Sequence, residues 1–527
     1  MSVTSSSKVV TFEEAAQLIP DRATIGCCGV IGWLTPDLML KSVAERFQRE
    51  AAPADCTFYF PCGTGDALEI KGMDHVAIPG LMKRIISGSY INPRNPKTGE
   101  RPRLMQAIHA NQVEAYSWPI GATMQWLREV ARKSPGLFTD IGLDCYIDPR
   151  HSGGKINAAA KEDLVFRQEI NGKDYLFYPT FPIDIAIIRG TTADSYGNIT
   201  MEKEPFLSSV LPLAMAAKAS GGKVIAQVQR VVDRHQLPAQ LVRIPGCLID
   251  AIVVDPNQVM GSECTYMPEA SGEVRGPMKG LPKIPFGIDK VIARRAAREI
   301  KSGKVGIFGF GAAGDMPLIL AEEGRLDGNG LHDYHFTTEH GPHGGILLRD
   351  WQFSANYNLE SIVDCAAHFD FIDGGGCPFA ALAFAEIDEK GAVNVSKFGS
   401  YAPGAGGFID IAHNASALVF TGTFTGGGPK LKIGDGQCVV EQEGKFKKFV
   451  KTAQQVTYPL LKGVRTRGQS AVIVTERAVF SVEKEGLVLI EIAPGIDLQR
   501  DILDQMEFAP ARILDPLPLM DAALFRP

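Results

Sequence analysis

Val305-Gly306-Ile307-Phe308-Gly309-Phe310-Gly311-Ala312-Ala313-Gly314 is a short apolar run passing into spaced glycines, and a helical stretch from Met316 to Glu323 follows it. Strand, glycine turn and helix in that order form the repeating unit of α/β folds with a largely parallel sheet. The same unit opens the chain. Ala23-Thr24-Ile25 leads into Gly26, Gly29 and Gly32, then into a helical stretch from Pro36 to Gln48. The likeness continues outward: Thr57-Phe58-Tyr59-Phe60 in the first half answers to Tyr334-His335-Phe336-Thr337 in the second. Further on, Asp194-Ser195-Tyr196-Gly197 and Asp388-Glu389-Lys390-Gly391 each close an apolar run with Asp three residues before Gly, a tight-turn signature. Lys223 and Ala417 each stand 29 residues beyond that Asp, and each opens another strand-like run.

The chain therefore reads as α/β: two related open α/β domains with largely parallel sheets and a cleft between them. Its 527 residues exceed what one hydrophobic core organises, and two domains of roughly 250 residues is the natural division. Residues 266–287 hold four prolines and four glycines without a sustained apolar period, so they read as an ordered linker between a domain over 1–265 and another over 288–527.

Composition narrows the function. A net charge of −6 offers no basic face for nucleic acid. No apolar run reaches the roughly 18 residues of a membrane span. The first residues have neither a signal-peptide nor a transit-peptide pattern, so a cytoplasmic location is expected. The ten cysteines form no CxxC pair and read as reduced thiols.

The halves differ where chemistry belongs. α/β sheets carry reactive groups at the carboxyl ends of their strands. There the second half has Thr338-Glu339-His340-Gly341, whereas the first has Phe60-Pro61-Cys62-Gly63. Aligning the glycines sets Glu339 opposite Pro61, so only the second copy carries a carboxylate.

Glu339-His340-Gly341 resembles the Glu-x-Gly motif of the family I coenzyme A transferases, which include acetate, propionate and 3-oxoacid CoA transferases. Gly404-Ala405-Gly406-Gly407-Phe408-Ile409-Asp410 resembles the family's glycine loop. Thr475 to Phe480 and Glu491-Ile492-Ala493-Pro494-Gly495 resemble its C-terminal blocks, and Asp148-Pro149-Arg150 with Gly153-Gly154-Lys155 a first-half loop. The resemblance implies CoA transfer from an acyl-CoA to a carboxylic acid, with Glu339 as nucleophile and covalent carrier of CoA. It implies no permanently bound cofactor or metal, and a homo-oligomer, dimer or tetramer. Gly404, Gly406 and Gly407 are then expected to hold the developing oxyanion. Where relatives carry Pro-Gln-Gly this chain has Trp118-Pro119-Ile120-Gly121, so either backbone N–H groups do the work of that Gln alone or, as Trp118 favours, Trp118 and Ile120 belong to an acyl pocket suited to groups larger or more apolar than acetyl. For CoA itself the expected contacts are Gly309, Gly311, Gly375, Gly376 and Ala405, with Lys397 as a phosphate partner.

Three rival readings remain open at this point. Gly309-x-Gly311-x-x-Gly314 has the spacing of a dinucleotide fingerprint, so an NAD-dependent oxidoreductase is one. His332, His335, His340 and His343 fall within twelve residues, so a zinc hydrolase is another. An acyl-CoA hydrolase would use the same glutamyl intermediate with water as acceptor.

Overall fold

Ile185-Ala186-Ile187-Ile188 is buried on both faces, as an unbroken apolar run in a parallel sheet must be. In the structure, a computed structural model that describes residues 8–66, 68–90, 94–95, 97–261, 263–328 and 330–527, it belongs to a seven-stranded sheet. The order across that sheet is Ala251–Val254, Lys223–Val228, Ile185–Arg189, Thr24–Cys27, Cys56–Phe60, Met82–Ser87, Glu114–Ser117, and every neighbouring pair is parallel. The second sheet has ten strands. Its centre runs His335–Thr337, Val305–Phe308, Phe379–Ala383, Ala417–Thr421, Ser470–Val474, all parallel. Antiparallel strands Ala478–Glu483 and Gly486–Ile492 then extend it on one side.

The five central strands of the second sheet repeat the order of their counterparts in the first, and register makes the match residue by residue. Ile25 pairs with Phe58 and Ile185, while Gly306 pairs with Phe336 and Phe379. Three residues beyond the matched Phe58 and Phe336 lie Pro61 and Glu339. The polar turns match too. Asp194 Oδ1 accepts the N–H groups of Tyr196, Gly197 and Asn198, and Asp388 Oδ1 those of Lys390 and Ala392.

Helix boundaries differ modestly from expectation. The helix after Thr24–Cys27 runs Asp37–Glu50. The helix after Val305–Phe308 runs Ala312–Glu322 rather than starting at Met316, because Gly311, at φ +83°, completes the turn. Residues 266–287 contain short helical turns at Pro268–Ser271 and Met278–Gly280. The segment is fastened to the second half by paired bonds between Gly276 and the Asn358 side chain, 2.8 and 2.9 Å.

The halves meet through the helices Ile120–Ala131 and Cys365–Asp373. Arg128 makes a two-pronged pair with Asp370, and Gln125 donates to Asp373 at 2.6 Å. Cys62 and Glu339, just past the carboxyl ends of matching strands in the two sheets, line one cavity. No helix among the described residues is long and apolar enough to cross a membrane.

Candidate active site

Glu339 leaves the strand His335–Thr337 into a turn that glycine makes possible. Gly341 sits at φ +99°, and a Cβ there would stand 2.1 Å from the Val363 carbonyl oxygen. The peptide before Glu339 is held as well: Thr338 Oγ1 donates to the Ser354 carbonyl at 2.9 Å. The Glu339 side chain is 18% exposed, reachable from a cavity yet largely out of bulk water.

The glycine loop comes up against this carboxylate. Gly407 N–H donates to Glu339 Oε2 at 2.9 Å. A Cβ on Gly407 would lie 2.2 Å from that same oxygen, so glycine is required by close approach, not by backbone angle (its φ is −85°). The first half fixes the loop from the other side. Ile120 N–H donates to the Gly406 carbonyl at 3.0 Å, Gly406 N–H to the Gly88 carbonyl at 3.0 Å, and Tyr90 N–H to the Pro403 carbonyl at 2.8 Å. One turn into the helix Phe408–Asn414, Asp410 accepts Gly121 N–H at 3.2 Å. Burial, then the neighbouring Asp373, holds the Asp410 carboxyl well above the usual carboxylate range, and burial pushes Asp373 up to about 7.

These bonds correct one expectation. Gly404 N–H is engaged by the Ser396 carbonyl at 3.3 Å and Gly406 N–H by Gly88, so neither is aimed at a substrate oxyanion. Gly407 alone of the three turns its N–H to the Glu339 carboxylate.

His340 is buried beside Glu339, its Nε2 3.3 Å from Oε1, with the Cys62 and Cys365 sulfurs 3.8 and 3.9 Å from its two nitrogens. Burial disfavours the imidazolium, yet Cys62, Cys365 and Glu339 together raise its pKa well above that of a free imidazole. Burial pushes the Cys365 thiol up to about 11, so it stays protonated beside His340.

Glu339 opens into a cavity of about 670 Å³ between the halves. Its walls are largely apolar: Val30 and Ile31 from the first half, and Phe310, Phe353, Leu382, Phe384, Val395 and Phe398 from the second. Arg94 and Arg101 also line it, and the Arg101 guanidinium stacks 3.4 Å from the centre of the Tyr401 ring.

The cavity gathers Glu339, Gly309, Gly404, Ala405, Gly406 and Gly407. The other expected residues lie elsewhere, each for a packing reason. Trp118 is wholly buried among Tyr59, Trp126, Tyr178 and Phe181, in the first half's core. Ile120 is also wholly buried, its side chain against Gly88, so its contribution to the site is its backbone N–H. Gly311 borders a separate cavity of about 140 Å³ with Asp315 and Arg349. Gly376 makes room for the Phe371 ring, 2.2 Å from where its Cβ would stand, while Gly375, at φ +82°, turns the chain at the end of that helix. Lys397 donates to the Ile156 carbonyl at 3.3 Å. The zinc reading also fails on geometry. His332 is exposed, and His335 Nε2 and His343 Nδ1 point at each other 2.9 Å apart, leaving no room for an ion both could bind.

Cys62, Ser89, Arg94, Arg101 and Tyr401 at the cavity were not anticipated. Cys62 had a signal, since it follows Pro61 opposite Glu339. The others sit in loops without periodic pattern.

The profile of the family described as Coenzyme A transferase matches residues 9–255. Acetate CoA-transferase YdiF of Escherichia coli K12 is 39% identical over 98% of this chain and 95% of its own length. Caffeate CoA-transferase of Acetobacterium woodii is 39% identical over 98% and 97%. The crystal structure of acyl-CoA transferase (YdiF) apoenzyme from E. coli O157:H7 superposes with a TM-score of 0.89 at 38% identity, covering 100% of this chain and 97% of that one. A thioester complex of the same enzyme with CoA matches at 0.88. An α/β chain with this topology, matched to these enzymes from end to end, belongs to the coenzyme A transferase family and is a CoA-transferase of family I.

Proposed function

We propose that this enzyme carries CoA on Glu339 as a glutamyl thioester while exchanging one carboxylic acid for another. The observation that carries the reading is the 2.9 Å bond from Gly407 N–H to Glu339 Oε2, at the wall of a largely apolar cavity of about 670 Å³.

The steps balance without an outside reactant. An oxygen of the Glu339 carboxylate attacks the acyl-CoA carbonyl; the C–S bond breaks, leaving an acyl-glutamyl anhydride and CoA thiolate. The thiolate attacks Glu339 Cδ, a C–O bond breaks, and the first acid departs as its carboxylate. A second carboxylate attacks the glutamyl thioester at Cδ, and the same two steps run in reverse. In each attack on Cδ, negative charge grows on Glu339's own oxygen, where Gly407 N–H already stands. One such preorganised donor is worth about 3–4 kcal/mol. A carboxylate is a modest nucleophile, so fixing it at attack distance supplies much of the rate.

The aromatic lining at Phe310, Phe384 and Phe398 supports an acyl group larger than acetyl, now on the cavity's own walls and not on Trp118 or Ile120. Caffeate is therefore the aromatic acid to try beside acetate. Arg94 and Arg101 replace Lys397 as the candidate partners for the CoA phosphates.

Glu339→Gln keeps shape and removes the nucleophile. Transfer from acetyl-CoA to an acid panel is expected to fall to background while the melting temperature holds; undiminished transfer would end the proposal. Release of free CoA without an acid measures hydrolysis by the same intermediate.

A further inference from the structure

Three histidines form a hydrogen-bonded chain ending on the peptide that carries Glu339. His335 Nε2 lies 2.9 Å from His343 Nδ1; His343 Nε2 lies 3.1 Å from His368 Nδ1; His368 Nε2 lies 2.8 Å from the Thr338 carbonyl oxygen. They come from different places: His335 from the strand His335–Thr337, His343 from the short strand Pro342–His343 beyond Glu339, His368 from the helix Cys365–Asp373. The rings of His343 and His368 meet edge to face, 88° apart, and both pack on Phe371.

The last link dictates all the others. A carbonyl only accepts, so His368 Nε2 bears the hydrogen and His368 Nδ1 must accept. His343 then donates through Nε2 and accepts at Nδ1 from His335 Nε2–H. Both inner rings are thereby locked in one tautomer and one direction. Both inner rings stay neutral near pH 7. Burial, then the charge of His335, pushes His343 down to about 4; burial, then His343, pushes His368 down to about 3.

The acceptor has a mechanical meaning. The Thr338 carbonyl shares a rigid plane with the Glu339 nitrogen and Cα, so holding that oxygen fixes where the Glu339 side chain starts. We propose that His368, oriented by His343 and His335, is a positioning residue that aims Glu339 at the substrate. The inference rests on Glu339 being the nucleophile.

Two measurements on the intact enzyme test it. Imidazole ¹⁵N NMR of histidine-labelled protein at pH 7 reads tautomers whatever Glu339 does. The expected result is Nε2–H at both His343 and His368; an Nδ1–H tautomer at either overturns the chain. In kinetics, His368→Phe is expected to lower kcat about tenfold, with KM for acyl-CoA within about twofold and partial rescue in His368→Gln, which can still donate. His335→Phe, altering only the part-exposed end, is expected to lower kcat about twofold, and to add nothing in the His368→Phe background because the links act in series. Unchanged kcat in His335→Phe, or additive losses in the double variant, would refute the role. Should Glu339→Gln stay active while the tautomers are as stated, the nucleophile assignment fails and not the chain.

Discussion

Gly407→Ala isolates the geometry on which the mechanism depends. The native φ of −85° suits alanine, so the backbone is not strained. The added Cβ would stand 2.2 Å from Glu339 Oε2, 3.1 Å from its Cδ and 3.2 Å from the Phe369 ring. Ordinary contact begins at 3.4 Å, so the carboxylate must retreat by more than 1 Å and lose its 2.9 Å bond. A displacement of that size costs about 10²-fold in rate, or about 2.7 kcal/mol in activation free energy. In steady-state transfer assays kcat should therefore fall about a hundredfold, with KM for acyl-CoA changed little and the melting temperature held. Gly406→Ala is the control. Its Cβ would meet Glu339 no closer than 4.0 Å, but its φ of +60° strains alanine by about 1–2 kcal/mol. It should lose stability more than activity. A Gly407→Ala enzyme within threefold of wild-type kcat would refute the close approach as the organising feature.

Other consequences are checked as directly. Ile120→Gln buries an amide against Gly88 and should cost about 1–3 kcal/mol in denaturant unfolding, while leaving the ranking of acyl chain lengths unchanged. Asp410→Asn keeps an oxygen for Gly121 N–H and removes a buried acid whose folded pKa is raised. Such an acid holds its proton more tightly folded than unfolded, so wild-type stability falls as pH rises above the ordinary carboxylate range. The melting temperature of Asp410→Asn relative to wild type should therefore be more favourable at pH 8 than at pH 5.

The internal repeat was legible because parallel strands, buried on both faces, leave continuous apolar runs, and because Asp194 and Asp388 serve identical turns. That repeat also marked Glu339 as the carboxylate without a partner. What stayed hidden was direction. Trp118 and Ile120 flank the start of a helix at the site, but sequence does not say that both side chains turn into the first half's core. Gly376 carries the signature of a ligand turn, yet its reason is the Phe371 ring. Gly404 and Gly406 offer amides whose engagement by Ser396 and Gly88 is a matter of tertiary contact. The histidine cluster was visible as a count within one segment; its meaning came from His368, 25 residues beyond His343, which only the fold brings alongside.

Intact-protein and peptide mass spectrometry after incubation with acyl-CoA alone reads the covalent intermediate itself. One CoA should be bound per active site, on the peptide containing Glu339, removed by borohydride with reduction of that residue to the alcohol and absent from Glu339→Gln. Full transfer activity with no adduct at Glu339, or an adduct on another residue, would contradict it.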